Sequence, residues 1–357
     1  MVSERLGNKE PVTISRWFAG RTLLAASFTV FCLAAALSPT AHGAARHARL
    51  LSSTPAAKKK VTHKTAAVTS ALRSRSTAAT PTGTTGAAPK ISGLTGVPIA
   101  IVDTGVTATP DLGGRVVGGT DLTGAGGTAD GNGHGTAMAS IASGGTNGVC
   151  PVCTIMPVRA VGNAGLGTTQ LATQGVAWAA AHGARVINLS LTTTADDPGL
   201  TAAINNAVNA GIVVVVAAGN AGSADPSAEG FPGASATGAI SVASANGTLG
   251  LYPWSNYGPW VQLAAPGSLT AETTTGKTFT AVGTSASAAY ISGVVGLMLS
   301  CNPQLNPAQV RSILLGTGTP LATLGTSGHI VNVTAAVAAS SSTQACQIAA
   351  QTAASAG

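Results

Sequence analysis

Gly211-Ile212-Val213-Val214-Val215-Val216-Ala217-Ala218-Gly219-Asn220 carries no polar side chain between its two glycines, and an asparagine follows the second. A half-exposed strand alternates apolar with polar residues, and this run does not. It predicts a strand buried on both faces, which places it inside a parallel sheet covered by helices on each side. Further short apolar runs lie at 97–102, 154–161, 185–191, 239–245 and 261–265. Helical signals separate them. One helix is expected over 168–182; a second starts at Asp197-Pro198, an N-cap followed by the proline favoured in a first turn, and runs to about 210; a third runs from Asn306-Pro307 to 315. Strands that alternate with helices imply an α/β fold with a doubly wound, mostly parallel sheet and helices on both faces.

In such a sheet, chemistry gathers at the carboxyl ends of the strands. Ile99-Ala100-Ile101-Val102 runs into Asp103-Thr104-Gly105, and the opening run ends on Asn220. Between them, Asp130-Gly131-Asn132-Gly133-His134-Gly135-Thr136 is a glycine loop that delivers an imidazole to the start of a small-residue helix over 137–143. Later, Gly283-Thr284-Ser285-Ala286-Ser287 leads into a segment apolar on every side through Leu299. That pattern predicts a buried helix with a serine at its N-terminus, where unpaired N–H groups and the helix dipole favour an oxyanion. Each residue also has a plain reading: a turn aspartate, a helix-start histidine, a loop asparagine and a capping serine. Taken together, Ser285, His134, Asp103 and Asn220 are the nucleophile, base, orienting carboxylate and oxyanion donor that attack on an amide requires.

The formal net charge of +7 does not belong to this body. Residues 1–95 hold 13 Lys or Arg against 2 Glu, and residues 96–357 hold 5 against 9 Asp or Glu, so the two parts carry +11 and −4. A nucleic-acid role for the body is therefore not expected. Arg5, Lys9, Arg16 and Arg21 precede an uncharged run over 23–37, and small residues around Ala41, Gly43 and Ala44 follow. This is the layout of a secretory signal peptide over 1–44; the long basic start leaves an uncleaved signal anchor open, and export is common to both. Residues 45–95 are rich in Ala, Thr, Ser, Pro and Gly, include Lys58-Lys59-Lys60, and predict a disordered linker, with a cell-wall or membrane-surface tether through residues 1–95 as the other reading. Cys32 lies in the leader run. Of the remaining four cysteines, Cys150 and Cys153 suit a local disulfide, with Cys301–Cys346 as a second that ties down the Ala/Ser-rich tail over 334–357.

The runs Ile101-Val102-Asp103-Thr104-Gly105, His134-Gly135-Thr136, Val216-Ala217-Ala218-Gly219-Asn220 and Gly283-Thr284-Ser285 resemble the four signatures of the subtilisin-like serine peptidases. Supporting matches lie at 155–160, 186–191, 255–258 and 264–267, and the resemblance extends from about 97 to 315, within an expected peptidase domain over 96–333. It implies a subtilisin-like fold and an endopeptidase of protein or peptide substrates. Ser285 would be the nucleophile, His134 the general base and then acid, and Asp103 the residue that orients it. Asn220 and the Ser285 N–H would form the oxyanion hole. Ser190, Leu191 and Thr192 match the strand edge that pairs with an extended substrate, and Ala217, Ala218 and Gly219 complete the substrate-binding set.

Two departures accompany the resemblance. The family usually continues its serine signature with Met, Ala, a small residue and Pro, whereas Ala286, Ser287, Ala288 and Ala289 stand here. Gly-Thr-Ser-Ala-Ser is instead similar to the sedolisins, acid-acting relatives that lack the His-Gly-Thr loop and carry Asp where Asn220 stands. Extracellular members also commonly carry a folded pro-domain, for which residues 45–95 show no strand and helix pattern, so that segment is either a plain linker or a degenerate pro-segment. Two alternatives to the exported serine endopeptidase follow: a catalytically silent binding domain at the cell surface, and a sedolisin-like acid peptidase. No cofactor is required. Asp111, Asp121 and Asp130 leave structural calcium open against solvated loop carboxylates, and a monomer is expected.

Overall fold

The computed structural model describes residues 11–13 and 93–354, other than 248, 249 and 342. Its strands are β1 (Pro11–Thr13), β2 (Pro98–Asp103), β3 (Thr120–Asp121), β4 (Thr154–Arg159), β5 (Leu166–Thr168), β6 (Val186–Leu189) and β7 (Val213–Ala217). They continue with β8 (Ile240–Ala245), β9 (Leu263–Pro266), β10 (Ser268–Glu272), β11 (Thr278–Val282), β12 (Thr319–Pro320) and β13 (His329–Ile330). The helices are α1 (His134–Ser143), α2 (Thr169–Ala181), α3 (Pro198–Asn209), α4 (Thr284–Cys301), α5 (Pro307–Thr317), α6 (Val333–Ser340) and α7 (Gln344–Ala354). The expected signal peptide, apart from β1, and the spacer up to residue 92 lie outside the described residues.

Nine strands form the central sheet in the order β12-β13-β9-β8-β7-β6-β2-β4-β3, and every pairing except β12 with β13 is parallel. The chain leaves β2 for β4 on one side, then crosses back to β6 on the other and proceeds outward through β7, β8 and β9. Strand order therefore reverses beside β2, and the crevice that such a reversal opens at the carboxyl ends is where Asp103 and Ser190 emerge.

The opening run behaves as its composition demands. Val213, Val215 and Ala217 of β7 join one core cluster with α1 and α4, and Val214 and Val216 join a second with α2 and α3. Both faces of the strand are dry, so neither face needed a polar residue. Helix α4 lies at the centre of the first cluster, and every residue from Thr284 to Ser300 is buried. Among the described residues it is also the helix long and apolar enough to cross a membrane, but that apolarity faces the protein interior. Leu297 is 0% exposed, so Leu297→Ala would cost about 2–5 kcal/mol through lost contacts and the cavity left behind.

Helix starts follow their local signals. Asp197 caps α3 by accepting from the N–H groups of Gly199 and Leu200, with Pro198 in the first turn. Asn306 and Gln309 form a reciprocal capping box on α5. Both expected disulfides are closed, Cys150–Cys153 and Cys301–Cys346, the second joining the end of α4 to α7. The stretch expected only as an Ala/Ser-rich tail supplies α6 and α7, whose Ala336, Val337, Ala349 and Ala350 enter the core. The antiparallel hairpin of β10 and β11 and the antiparallel pairing of β1 with β5 had no counterpart in the sequence reading.

Candidate active site

Asp103 is the last residue of β2, fully buried, and its Oδ1 accepts the Thr104 N–H at 2.7 Å. His134 opens α1, and its Nδ1 lies 2.8 and 2.9 Å from the two Asp103 carboxylate oxygens. The imidazole is only 1% exposed. The loop that delivers it is organised by Asp130, whose Oδ1 accepts from the Thr104 hydroxyl and from the N–H groups of Asn132 and Gly133. Its Oδ2 accepts both the N–H and the hydroxyl of Thr136. Thr104 links the two halves, since its hydroxyl also accepts the Gly135 N–H at 3.0 Å.

Ser285 is the second residue of α4 and is 3% exposed. Its Oγ has no hydrogen-bond partner among the described residues. In the first turn, the Thr284 N–H donates to Asn220 Oδ1 at 2.9 Å, and those of Ala286 and Ser287 donate to the Gly283 carbonyl. Among the described residues the Ser285 N–H meets no acceptor. The Thr284 hydroxyl also donates to Asn220 Oδ1, at 2.8 Å, and accepts the Gly219 N–H at 3.1 Å. Because a backbone N–H can only donate, the Asn220 carbonyl must face Thr284, which turns Nδ2 outward as a donor. A side chain at Gly283 would set its Cβ 3.2 Å from Asn220 Nδ2 and 3.9 Å from Ser285 N. Glycine thus leaves both nitrogens beside a position that carries no side chain, at the positive end of α4, and among the described residues neither donor has an acceptor.

Ser190, Leu191 and Thr192 follow β6 and are buried, and the Ser190 hydroxyl donates to the Ser285 carbonyl at 3.2 Å. Ala217 and Ala218 are buried at the end of β7. Beyond them, the segment around Glu229 and Phe231 closes on the same crevice, with Thr193 and Phe231 exchanging backbone hydrogen bonds at 2.8 and 3.3 Å. Burial pushes the Tyr290 phenol, on α4 beyond Ser285, up to about 12, so it remains a neutral hydroxyl at ordinary pH.

The structure thus brings Asp103 and His134 into direct contact, and brings Asn220, Thr284, Ser190 and Ser285 into one hydrogen-bonded cluster. It also assigns work to residues the sequence reading left idle. Asn256 is fully buried, and its amide donates to the carbonyls of Ala218 and Ala228 and accepts the N–H groups of Ala221 and Ser223, holding the loop that carries Asn220. The only sequence signal for it was the match at 255–258. Asp111, Asp121 and Asp130 serve separate sets of donors: Asp111 accepts the N–H and hydroxyl of Thr146, Asp121 accepts from Thr123, Gly126 and Gly127, and Asp130 from the groups around His134 described above, and among the described residues no group of three or more His, Cys, Asp or Glu is arranged to hold a metal.

Comparison with known proteins identifies the family of the domain that carries these residues. The profile of the subtilase family of peptidases matches residues 94–332. The chain belongs to the subtilase family. This subtilase is 40% identical over 240 residues to thermitase from Thermoactinomyces vulgaris, covering 65% of its own length and 84% of the relative's. It is 34% identical over 254 residues to subtilisin Savinase from Lederbergia lenta, covering 68% and 92% of the two chains. A crystal structure of a cold adapted subtilisin-like serine proteinase superposes with a TM-score of 0.62 at 30% identity, covering 66% of the subtilase and 88% of that chain. The subtilase is accordingly a subtilisin-like serine endopeptidase, acting on proteins or peptides.

Proposed function

We propose that this subtilase is exported and cleaves peptide bonds through an acyl-enzyme on Ser285, with Asp103 and His134 completing the triad and Asn220 with the Ser285 N–H forming the oxyanion hole. The observation that carries the reading is the pair of donors, Asn220 Nδ2 and Ser285 N–H, beside a buried Ser285 Oγ, none of which has a hydrogen-bond partner among the described residues. Asp103 accepts from Nδ1 of His134, which leaves the lone pair on Nε2 to take the Ser285 proton as Oγ attacks the carbonyl carbon. Negative charge then develops on the substrate oxygen and is met by the two donors, already oriented before the reaction. His134 returns the proton to the leaving amine, and water repeats the sequence on the ester. Removing such an asparagine costs about 10²–10³ in rate, a magnitude taken from subtilisin itself.

The extended substrate pairs with the edge at Ser190, Leu191 and Thr192, so backbone is recognised before side chains. Groups of the protein itself supply all the chemistry and no cofactor takes part in it; Asp111, Asp121 and Asp130 are each engaged by protein donors, Asp111 by Thr146, Asp121 by Thr123, Gly126 and Gly127, and Asp130 by the loop around His134. Export is supported by the basic and apolar layout of residues 1–44 and by two closed disulfides, which suit an oxidising compartment. The chain acts as a monomer on this reading, and residues 45–95 serve as a spacer.

Turnover of an unfolded protein substrate near neutral pH by the wild type, Ser285→Ala and His134→Ala tests the proposal. Activity in the wild type and its loss in both variants is expected. Folded wild-type protein that captures peptides without turnover would instead mark a silent binding domain. Activity confined to strongly acid pH and indifferent to His134→Ala would mark the sedolisin-like alternative.

A further inference from the structure

Asn188 sits in the middle of β6, between β2 and β7, with Ile101 and Val215 as its cross-strand neighbours. It is 0% exposed, on a strand whose other residues are Val186, Ile187 and Leu189. An amide in that position is unfavourable unless each polar atom is satisfied, and an aliphatic residue would fill the sheet without that demand. Its partners explain the exception. The Ser292 hydroxyl donates to Asn188 Oδ1 at 3.0 Å, Asn188 Nδ2 donates to Ser190 Oγ at 2.9 Å, and the Ser190 hydroxyl donates to the Ser285 carbonyl at 3.2 Å. Ser292 and Ser190 are also 0% exposed, so no water competes for these bonds.

The direction of the chain is fixed. A hydroxyl has one proton, and Ser190 Oγ already accepts from Asn188, so its proton goes to the Ser285 carbonyl. Ser292 likewise commits its proton to Asn188. Ser285 and Ser292 are seven residues apart on α4, almost two full turns, and therefore present the same face, about 10 Å apart along the axis. The chain grips α4 at both points and ties both to one strand, β6. Two attachments along a helix resist sliding and rotation, which one attachment does not. Ser190 begins the substrate-pairing edge, and Ser285 is the nucleophile.

We propose that Ser292, Asn188 and Ser190 form a positioning relay that sets the spacing between the substrate edge and Ser285, and that the relay is felt by extended peptides and not by small esters. The inference rests on the roles of Ser285 and of the Ser190–Thr192 edge proposed above. A peptide held along that edge presents its carbonyl at a position dictated by β6, so slippage of α4 misaligns it with Oγ. A small ester makes no use of the edge and follows the nucleophile wherever it sits. Misplacement of the reacting atoms lowers the rate of the chemical step more than it weakens binding.

The test uses the full chain with Ser292→Ala, Asn188→Ala and the double variant, each assayed on a tetrapeptide p-nitroanilide and on p-nitrophenyl acetate. Ser292→Ala is expected to lower kcat on the tetrapeptide about tenfold with KM within twofold, the scale of one buried hydrogen bond, while the acetate rate stays within twofold. The double variant is expected to lose no more than the worse single one, because both substitutions break the same chain. Equal losses on both substrates, a loss carried by KM, additive losses, or unchanged tetrapeptide turnover in Ser292→Ala would each overturn the relay. Should Asn188→Ala fail to fold, the comparison of the two substrates in Ser292→Ala still decides. A wild type that cleaves neither substrate would refute the Ser285 reading and not the relay alone.

Discussion

Asp130 stands outside the proposed triad, yet Asp130→Asn is expected to be among the most damaging single-atom changes in the protein. Its carboxylate accepts five hydrogen bonds, three on Oδ1 and two on Oδ2, all from buried or partly buried donors around His134. An amide replaces one oxygen with a donor. With its nitrogen toward Thr136, it orphans one buried backbone N–H, at about 1–3 kcal/mol, and reduces three charge-assisted bonds on the other oxygen to neutral ones, at roughly 1 kcal/mol each. With the nitrogen toward Oδ1's partners, it opposes two backbone donors and fares worse. The first arrangement therefore sets the loss, about 4–6 kcal/mol, against a total stability for a folded domain of roughly 5–15 kcal/mol. Urea unfolding followed by tryptophan fluorescence measures it. Asp130→Ala leaves all five donors without an acceptor and should lose more. A loss under about 1 kcal/mol in Asp130→Asn, or the reverse order of the two variants, would refute the view that this carboxylate organises the loop.

Three further expectations follow from single observations. Cys301 and Cys346 close a loop with a sequence separation of 45, so replacing both with serine should cost up to about 4 kcal/mol by loop-closure entropy, read as a lower melting temperature than that of the oxidised protein. Desolvation raises the Asp121 carboxyl, but the Thr123 hydroxyl and the N–H groups of Thr123, Gly127 and Gly126 outweigh it and bring the value from 3.8 to about 2. A lowered folded-state pKa stabilises above the unfolded value and is lost as pH falls through the folded one, so melting between pH 5 and 2 should show an acid loss that Asp121→Asn removes. Gly219 has φ near +100°, and a Cβ there would lie 2.3 Å from the Glu229 carbonyl oxygen and 2.5 Å from Asn256 Nδ2; Gly219→Ala should therefore lower turnover more than it lowers the melting temperature, because the shift falls on the residue before Asn220.

The fold was legible wherever burial left no freedom. Strands β2, β4, β6, β7, β8 and β9 are dry on both faces, and an apolar run that short and that unbroken suits an interior strand better than any exposed element. Legibility failed where structure is held by pairing and not by composition. The β10–β11 hairpin is built largely of Thr, Ala and Ser with exposed positions along it, so no apolar signal separated it from a loop. The last two helices were hidden differently: alanine is the best helix former, but a run of Ala, Ser and Thr has the look of low complexity until Val337 and Ala349 are seen in the core. At the site, the residue types suggested the chemistry, because Asp103, His134 and Ser285 fall at a strand end or a helix start and Asn220 in the loop just past β7. What holds them could not be read in advance. Asp130 looked like a candidate calcium ligand and Asn188 like part of a strand, and only contacts spanning 26 and 104 residues of chain, to Thr104 and Ser292, revealed their work.

The central claim, that peptide bonds are cleaved by attack of Ser285, is tested most directly by locating the covalent adduct. The folded subtilase treated with a fluorophosphonate at neutral pH, digested and mapped by mass spectrometry, should carry one phosphonyl group on Ser285, and Asn220→Ala should acquire it far more slowly. An adduct on any other residue, or none on correctly folded active protein, would contradict the account.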